Sequence, residues 1–344
     1  MIDPSTEVQG PRLAWQPATV EAIKAETYRV KTFTLRPAQW RRFRPGQHVD
    51  IRLTAADGYQ AQRSYSIASA PEASGTFDLG VELVEGGEVS PFFHEVVQLG
   101  DQIEVRGPIG GPFTWTTGDG GPDLLIAAGS GIVPIMSMLR HRRAMMPFPS
   151  GAQGARPVTS SQERRQMPFP LQADGRGGGS RGLPSAGRSA ESVFHPPLNP
   201  LPPREGTRPP FAWKGEGQGV GRAMPSPSHG EDGGRGGIAP ALLLYSSRSA
   251  GDIIYRDELE LLAASDVSFQ LFHTLTRNQP AGWTGYSRRL DLDMVAECLS
   301  ALGRPKIAFI CGPAGFVEAA ADAAVAAGIP ASAIRMERFG PSGI

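Results

Sequence analysis

The stretch Asp123-Leu-Leu-Ile-Ala-Ala-Gly-Ser-Gly-Ile-Val-Pro134 decides the architecture of this chain. Behind Asp123 it shows no polar alternation, the pattern of a strand buried on both faces. Gly129-Ser130-Gly131 then interrupts the strand, and a helical run continues to about Arg143. A strand, a glycine turn and a helix open a parallel α/β unit, and such a turn leaves backbone N–H groups free for an anion. Downstream the alternation repeats. Strands are predicted at Ala241–Ser246, Val267–Leu275 and Lys306–Cys311, and helices at Ile254–Ala263, Leu292–Leu299 and Ala314–Ala327. That order predicts a parallel sheet covered on both faces. Ligands of such sheets sit at the carboxyl ends of the strands. Gly129-Ser130-Gly131, Ser246-Ser247-Arg248 and Cys311-Gly312-Pro313 all fall there. Each alone reads as an ordinary strand-to-helix turn; three at one edge favour a nucleotide site.

Upstream the period is two. Ala18–Ile23, Tyr28–Leu35, His48–Leu53 and Phe77–Val84 read as half-exposed strands, separated by turn signals at Pro45-Gly46, Asp57-Gly58 and Ser74-Gly75. Several short strands at this spacing predict a small antiparallel barrel. A short helix is expected over Ser90–Val97, with Ser90 as its N-cap and Pro91 first inside. Two stretches carry chemistry. Arg63-Ser64-Tyr65-Ser66 lines up a guanidinium, an aromatic ring and hydroxyls on one extended segment, suited to a phosphate, a flat ring and a ring heteroatom. Gly86-Gly87-Glu88-Val89-Ser90 opens the helix, and its glycines allow backbone N–H groups to approach a pyrophosphate.

Between the helix that ends near Arg143 and the strand at Ala241 the composition shifts. Residues 144–240 hold 18 Gly and 16 Pro. MPFP occurs at Met146–Pro149 and Met167–Pro170, and DGRGG at Asp174–Gly178 is echoed at Asp232–Gly237. No hydrophobic period persists, so the segment is expected to be a disordered insertion without a core of its own. Three readings stand: a functionless insertion, a tether for a partner, and a polyproline ligand within HPPLNPLPPREGTRPP. The insertion separates one strand–helix unit from the rest of the same sheet, at the amino-end edge away from the ligand edge. It is therefore expected not to block chemistry, and long surface loops cost only about 0.6 kcal/mol of closure entropy per doubling of length.

Charge is balanced, 34 basic against 34 acidic residues, which argues against a nucleic-acid partner. Two cysteines, Cys298 and Cys311, exclude a disulfide scaffold and point to a reducing, cytoplasmic setting. They are too few for a four-cysteine iron–sulfur cluster. No signal segment or membrane span is read.

Taken in order, Arg63-x-Tyr65-Ser66, Gly87-x-x-Ser90, Gly107-Pro108-x-Gly110, Ala128-Gly-Ser-Gly-Ile-Val-Pro134, Cys311-Gly312-Pro313 and Glu337-Arg-Phe339 resemble the ferredoxin–NADP reductase superfamily. The likeness extends over nearly the whole chain except 144–240 and is greatest to short bacterial reductases that serve oxygenases or ferredoxins. It implies a two-domain protein: an FAD-binding antiparallel β-barrel at 13–115, and an NAD(P)-binding α/β parallel-sheet domain at 122–143 and 241–344. Arg63 and Ser64 would meet the flavin phosphate, Tyr65 would stack on the ring, and Ser66 would bond near its N5. Gly87, Glu88, Val89 and Ser90 would hold the pyrophosphate, which favours FAD over FMN. Gly129, Ser130, Gly131 and Pro134 would seat the dinucleotide, and Cys311, Gly312 and Pro313 would lie beside the nicotinamide. Glu337 matches the family's acidic residue near the active site, and Phe339 the aromatic that covers the flavin. Tyr65, Ser66, Cys311 and Glu337 are thus the catalytic candidates. Ala128 and Val133 depart mildly from the family's usual Gly and Thr.

The resemblance implies a flavin-dependent NAD(P)H reductase that moves a hydride to FAD and passes electrons singly to a separate ferredoxin or oxygenase component. Alternatives are a reductase of free flavin, quinones or ferric complexes, and a flavin-binding module without turnover. Ser247, Arg248 and Arg277, with Arg288 and Arg289 near in sequence, are candidates for the coenzyme's 2′-phosphate, favouring NADPH while NADH stays possible. Arg36, Arg41, Arg42 and Arg44 form a basic cluster, read either as a docking face for an acidic partner or as a solvated edge. The oligomeric state is left open.

Overall fold

The computed structural model describes residues 13–73, 75–146 and 238–339. The expected disordered insertion lies almost wholly outside the described residues.

Six antiparallel strands form the first sheet: β1 (Gln16–Ala25), β2 (Val30–Pro37), β3 (His48–Thr54), β4 (Gln60–Ser66), β5 (Phe77–Glu82) and β6 (Gln102–Ile109). Their order is β4-β3-β6-β1-β2-β5, and a bridge between Ile67 and Leu79 joins the two ends into a barrel. The alternation seen in the sequence turns Phe33, Leu35, Ile51, Leu79, Val81 and Val105 inward. Helix α1 (Val89–Glu95) closes the core, with Phe93 edge-on to Phe33 at 4.9 Å between ring centroids. Glu88, not Ser90, is the residue preceding this helix. Ser90 lies one residue inside, where its hydroxyl accepts from the Val84 N–H at 3.0 Å and ties the helix to the end of β5.

The second sheet contains β7 (Asp123–Ala128), β8 (Ala241–Ser249), β9 (Phe269–Asn278), β10 (Ile307–Pro313) and β11 (Ile334–Phe339), all parallel, in the order β11-β10-β7-β8-β9. Helices α2 (Ile132–Ala144) and α3 (Arg256–Ser265) cover one face; α4 (Leu292–Leu302) and α5 (Ala314–Ala326) cover the other. Successive β7 residues feed opposite cores: Leu124 and Ile126 meet α4 and α5, while Leu125 and Ala127 meet α2. Each fully buried aliphatic contributes about 1.5–3 kcal/mol of transfer free energy. Cys298 sits in the α4–α5 core, fully buried.

Several element ends shift by one to three residues from their expected places, and two of the shifts have a visible cause. α3 begins at Arg256 rather than Ile254, because Tyr255 adopts a left-handed φ of 56° and holds the helix off. β9 begins at Phe269 rather than Val267, which is 96% exposed behind the Asp266 turn. β11 and β6 extend the sheets beyond the strands read from the sequence. No helix among the described residues is long and apolar enough to cross a membrane.

Candidate active site at the seam of the two sheets

The site is built from three strand ends and one turn. Leaving β4, the chain runs from Ser66 directly into Ala68 and Ser69, whose carbonyls accept from Arg140 (2.9 Å) and from the buried Ser137 hydroxyl (2.7 Å) of α2. β5 and β11 both border the Gly129–Gly131 turn that opens α2. Gly80 on β5 has no Cβ where one would stand 2.6 Å from Val133 of α2, so the barrel closes directly onto the nucleotide-type sheet.

Four residues of β4 face different tasks. Arg63 is exposed, with its guanidinium 3.9 Å from Glu88. An exposed pair at that distance contributes little, which leaves Arg63 available to a better anion. Glu88 also accepts from the Tyr59 hydroxyl at 2.8 Å, so β4 and the Gly86–Ser90 loop meet. The Ser64 hydroxyl is already committed: it donates to Asp50 at 2.7 Å, and Arg106 holds the other carboxylate oxygen at 2.6 Å. Tyr65 packs its ring against Phe93 at 5.9 Å, and burial pushes its phenol well above the usual range, so it stays neutral. The Ser66 hydroxyl is buried and has no hydrogen-bond partner among the described residues. A buried polar group left so costs about 1–3 kcal/mol, a deficit that a ring heteroatom of a bound ligand would remove.

The nucleotide-type edge is equally specific. Gly129 has a left-handed φ of 53° and open space beside it. Gly131 is helical at φ −60°, yet a Cβ there would meet the Cys311 carbonyl oxygen at 2.2 Å. Glycine at 131 is therefore a matter of space: it lets the turn lie against the end of β10. Ser130 is partly exposed on that turn and Pro134 is buried inside α2. Gly312 packs under Phe316 and Ala128, and Pro313 precedes α5. Cys311 is buried and pairs in register with Glu337 of β11. Burial and the Glu337 charge push the Cys311 thiol up, so it stays protonated. Burial raises the Glu337 carboxyl to about 7, and one of its oxygens has no hydrogen-bond partner among the described residues. Phe339 packs two residues further on, partly buried against the same core.

Of the arginine candidates, Arg248 and Arg277 lie exposed at the carboxyl ends of the adjacent strands β8 and β9, with no ion pair among the described residues. Ser247 is buried, and its carbonyl accepts from the Thr276 hydroxyl at 3.3 Å. Arg288 is engaged elsewhere, at 2.6 Å from Asp291 and over the Tyr286 ring. Val89 contributes only backbone to the loop, since its side chain is core. His94 bonds the Val81 carbonyl at 2.9 Å. Sequence reading missed Arg140, Glu258, Tyr255 and Gly80 at the seam. For Arg140, Glu258 and Gly80 the signal is charge on a helix face or a glycine inside a strand, which reads as solvation or a bulge; Tyr255 lies just ahead of α3 and carries no local signal.

Residues 18–114 match the oxidoreductase FAD-binding domain model and residues 235–322 the oxidoreductase NAD-binding domain model, together more than half of the chain. The chain belongs to the ferredoxin–NADP reductase superfamily. It is 43% identical over 98 residues to ferredoxin–NADP reductase B of Sorangium cellulosum, covering 28% of this chain and 39% of that protein. It is 32% identical over 124 residues to the reductase component of propane 2-monooxygenase from Mycolicibacterium goodii, covering 36% of this chain and 34% of that protein. The match thus spans about two fifths or less of those curated relatives. A ferredoxin–NADP+ reductase from Neisseria gonorrhoeae, solved with FAD and NADP, shares the fold at TM-score 0.57 and 17% identity, covering 95% of this chain and 99% of that one. A cytochrome P450 reductase from Amycolatopsis shares it at TM-score 0.61 and 18% identity, covering 96% and 71%.

The superfamily's groups are FAD and a nicotinamide dinucleotide, and the residues present fit both. The Ser66 hydroxyl, without a partner among the described residues, and the exposed Arg63 guanidinium, held only by the Gln62 carbonyl at 2.7 Å and loosely by Glu88, suit a flavin ring and a phosphate. The open space at Gly129, beside the tight Gly131–Cys311 contact, suits a pyrophosphate.

Proposed function

We propose that this chain is an NAD(P)H-dependent flavoprotein reductase of the ferredoxin-reductase type, delivering electrons to a separate protein acceptor. The reading rests on buried oxygens of Ser66 and Glu337, without hydrogen-bond partners among the described residues, where a flavin-type barrel meets a nucleotide-type sheet. Residues 13–115 make up the FAD domain; residues 122–143 and 241–344 make up the NAD(P) domain. Bound FAD supplies acceptance of a hydride from the nicotinamide and release of electrons one at a time, which no side chain provides.

The side chains bind and orient. Arg63 and the Gly87–Ser90 backbone hold phosphate oxygens. Tyr65, neutral and packed on Phe93, offers a flat apolar face. The Ser66 hydroxyl orients a ring heteroatom. Gly129–Gly131 present backbone N–H groups to the dinucleotide, and Cys311 lines its ring as a neutral apolar contact. Glu337, with its carboxyl near 7, holds or releases a proton at neutral pH beside the ring. Arg248 and Arg277 take the 2′-phosphate, which favours NADPH over NADH.

Arg41, Arg42 and Arg44 line a groove of about 750 Å³ with Gln47, Gly110, Gly111 and Thr114. The carbonyl of Gln47 accepts from Ile67 at 2.9 Å, next to Ser66. None of these three arginines has an ion pair among the described residues, which supports an acidic partner, a ferredoxin or an oxygenase component, docking beside the flavin. Two buried, unpaired cysteines accord with a reducing, cytoplasmic setting.

The test is an anaerobic titration of the purified yellow protein with NADPH and NADH in parallel. Bleaching of the flavin by NADPH at lower concentration than NADH is expected. No bleaching by either coenzyme would overturn the enzyme reading in favour of a binding module. Faster turnover with quinones or ferric complexes than with any protein acceptor would move the assignment to the small-acceptor class.

A further inference from the structure

One guanidinium spans the seam, and the chemistry proposed above leaves it without a task. Arg140, on α2, donates from Nε and Nη2 to the two carboxylate oxygens of Glu258 on α3, both at 2.7 Å. Its Nη1 donates to the Ala68 carbonyl at 2.9 Å and lies 3.7 Å from the Asp78 carboxylate of β5. The guanidinium also lies over the Tyr255 ring, 4.9 Å from its centre. The Tyr255 hydroxyl lies 3.3 Å from the Thr32 hydroxyl of β2, so this ring crosses the seam as well. Tyr255 is the only non-glycine residue with positive φ among the described residues. A left-handed tyrosine is strained and persists only where its surroundings hold it. Here the Arg140 cluster does so.

We infer that Arg140 is a positioning residue for flavin reduction: it fixes the angle between barrel and nucleotide sheet, and so the approach of nicotinamide to flavin. This rests on the reductase reading above. Two rigid paths meet at its guanidinium. One runs back along α2 to the Gly131 turn at Cys311. The other runs from Ala68 two residues back to Ser66. Both proposed ring subsites are therefore referred to one side chain. The planar fork is essential, because three hydrogen-bond acceptors and a ring face are served from fixed directions; a lysine ammonium is a single point on a flexible stem. Displacing reacting rings by about 1 Å is enough to lower a rate roughly 100-fold.

The test uses the full chain loaded with FAD. Arg140→Met, Arg140→Lys and Glu258→Gln are compared by flavin absorbance, by dinucleotide dissociation constant and by the limiting rate of anaerobic flavin reduction at saturating NADPH. The limiting rate is expected to fall about 10–100-fold in Arg140→Met, with no recovery in Arg140→Lys, while the dissociation constant stays within about twofold. Glu258→Gln should fall less, and its combination with Arg140→Met should add little further loss. An unchanged limiting rate in Arg140→Lys and Glu258→Gln overturns the inference even if Arg140→Met does not fold. A rate loss matched by an equal loss of dinucleotide affinity also overturns it, since Arg140 would then be a binding residue. If the wild-type flavin is not bleached at all, the reductase reading fails instead.

Discussion

Glu337 and Asp123 are carboxyls whose proton affinity is set by burial. The first is raised from 4.5 to about 7; the second, beside Trp115, from 3.8 to about 6. In both cases the folded state holds a proton that the unfolded chain has released. Stability is then greatest below the unfolded values and falls as pH rises through the folded ones. Thermal unfolding from pH 4.5 to 8 should show that decline, with Glu337→Gln removing up to roughly 3 kcal/mol of it. The same variant should flatten the pH dependence of flavin reduction near 7; an unaltered profile would assign that dependence elsewhere. For the coenzyme, Arg248→Ala combined with Arg277→Ala should raise the KM for NADPH roughly tenfold or more and leave NADH nearly unchanged. Equal loss for both coenzymes would remove the 2′-phosphate assignment. Ser66, Cys311 and Glu337 could all be proposed from residue type and motif order. Arg140 could not, because an arginine on a helix reads as solvated until the partners Glu258, Ala68 and Tyr255 converge on it.

Individual elements were legible where one periodicity ruled. The β7 run and the α4 repeat announced themselves, the latter with Asp291 capping Met294 at 2.9 Å and Gly303 ending the helix at φ 83°. Boundaries failed where tertiary contacts override local preference, as at Tyr255 and at exposed Val267. β11 hid because Arg335, Glu337 and Arg338 dilute its apolar content; it is an edge strand, and Arg335 is drawn to the Asp119 carboxylate at 3.6 Å. The turn at Gly131 makes an element-level prediction. Its φ suits any residue, so Gly131→Ala isolates the steric term: roughly 1–3 kcal/mol of stability lost through overpacking on Cys311, read as a lower Tm, with weaker dinucleotide binding. A variant with wild-type Tm and affinity would show that the β10 end yields freely.

At the scale of the molecule, the described residues that flank the stretch between α2 and β8 lie at the amino ends of the strands, away from the ligand edge. Asp123 and Ala241, the first residues of β7 and β8, are paired in register. The buried Arg142 near the end of α2 donates to the Ala239 carbonyl and to Ser268, and pairs with Asp266 at 3.3 Å. The two flanks are thus joined by their own contacts. Replacing residues 147–237 with a short Gly–Ser linker should leave flavin reduction within about twofold, since loop length costs little; a loss of flavin or of turnover would give that segment a role. Acceptor docking is tested at the same scale. Arg41→Glu, Arg42→Glu and Arg44→Glu together should slow reduction of an acidic protein acceptor and abolish its salt dependence, while a neutral quinone is reduced as before. Equal effects on both would dismiss the groove. From the sequence alone came the two sheets, their order and the motif residues, because period-2 and period-3.6 burial and glycine turns are local properties. Only the tertiary structure decided that Gly131 must be small, that the Ser66 and Glu337 oxygens lack partners among the described residues, and that Arg140 ties the sheets together. These are facts of burial and contact between residues distant in the chain, and no local pattern encodes them.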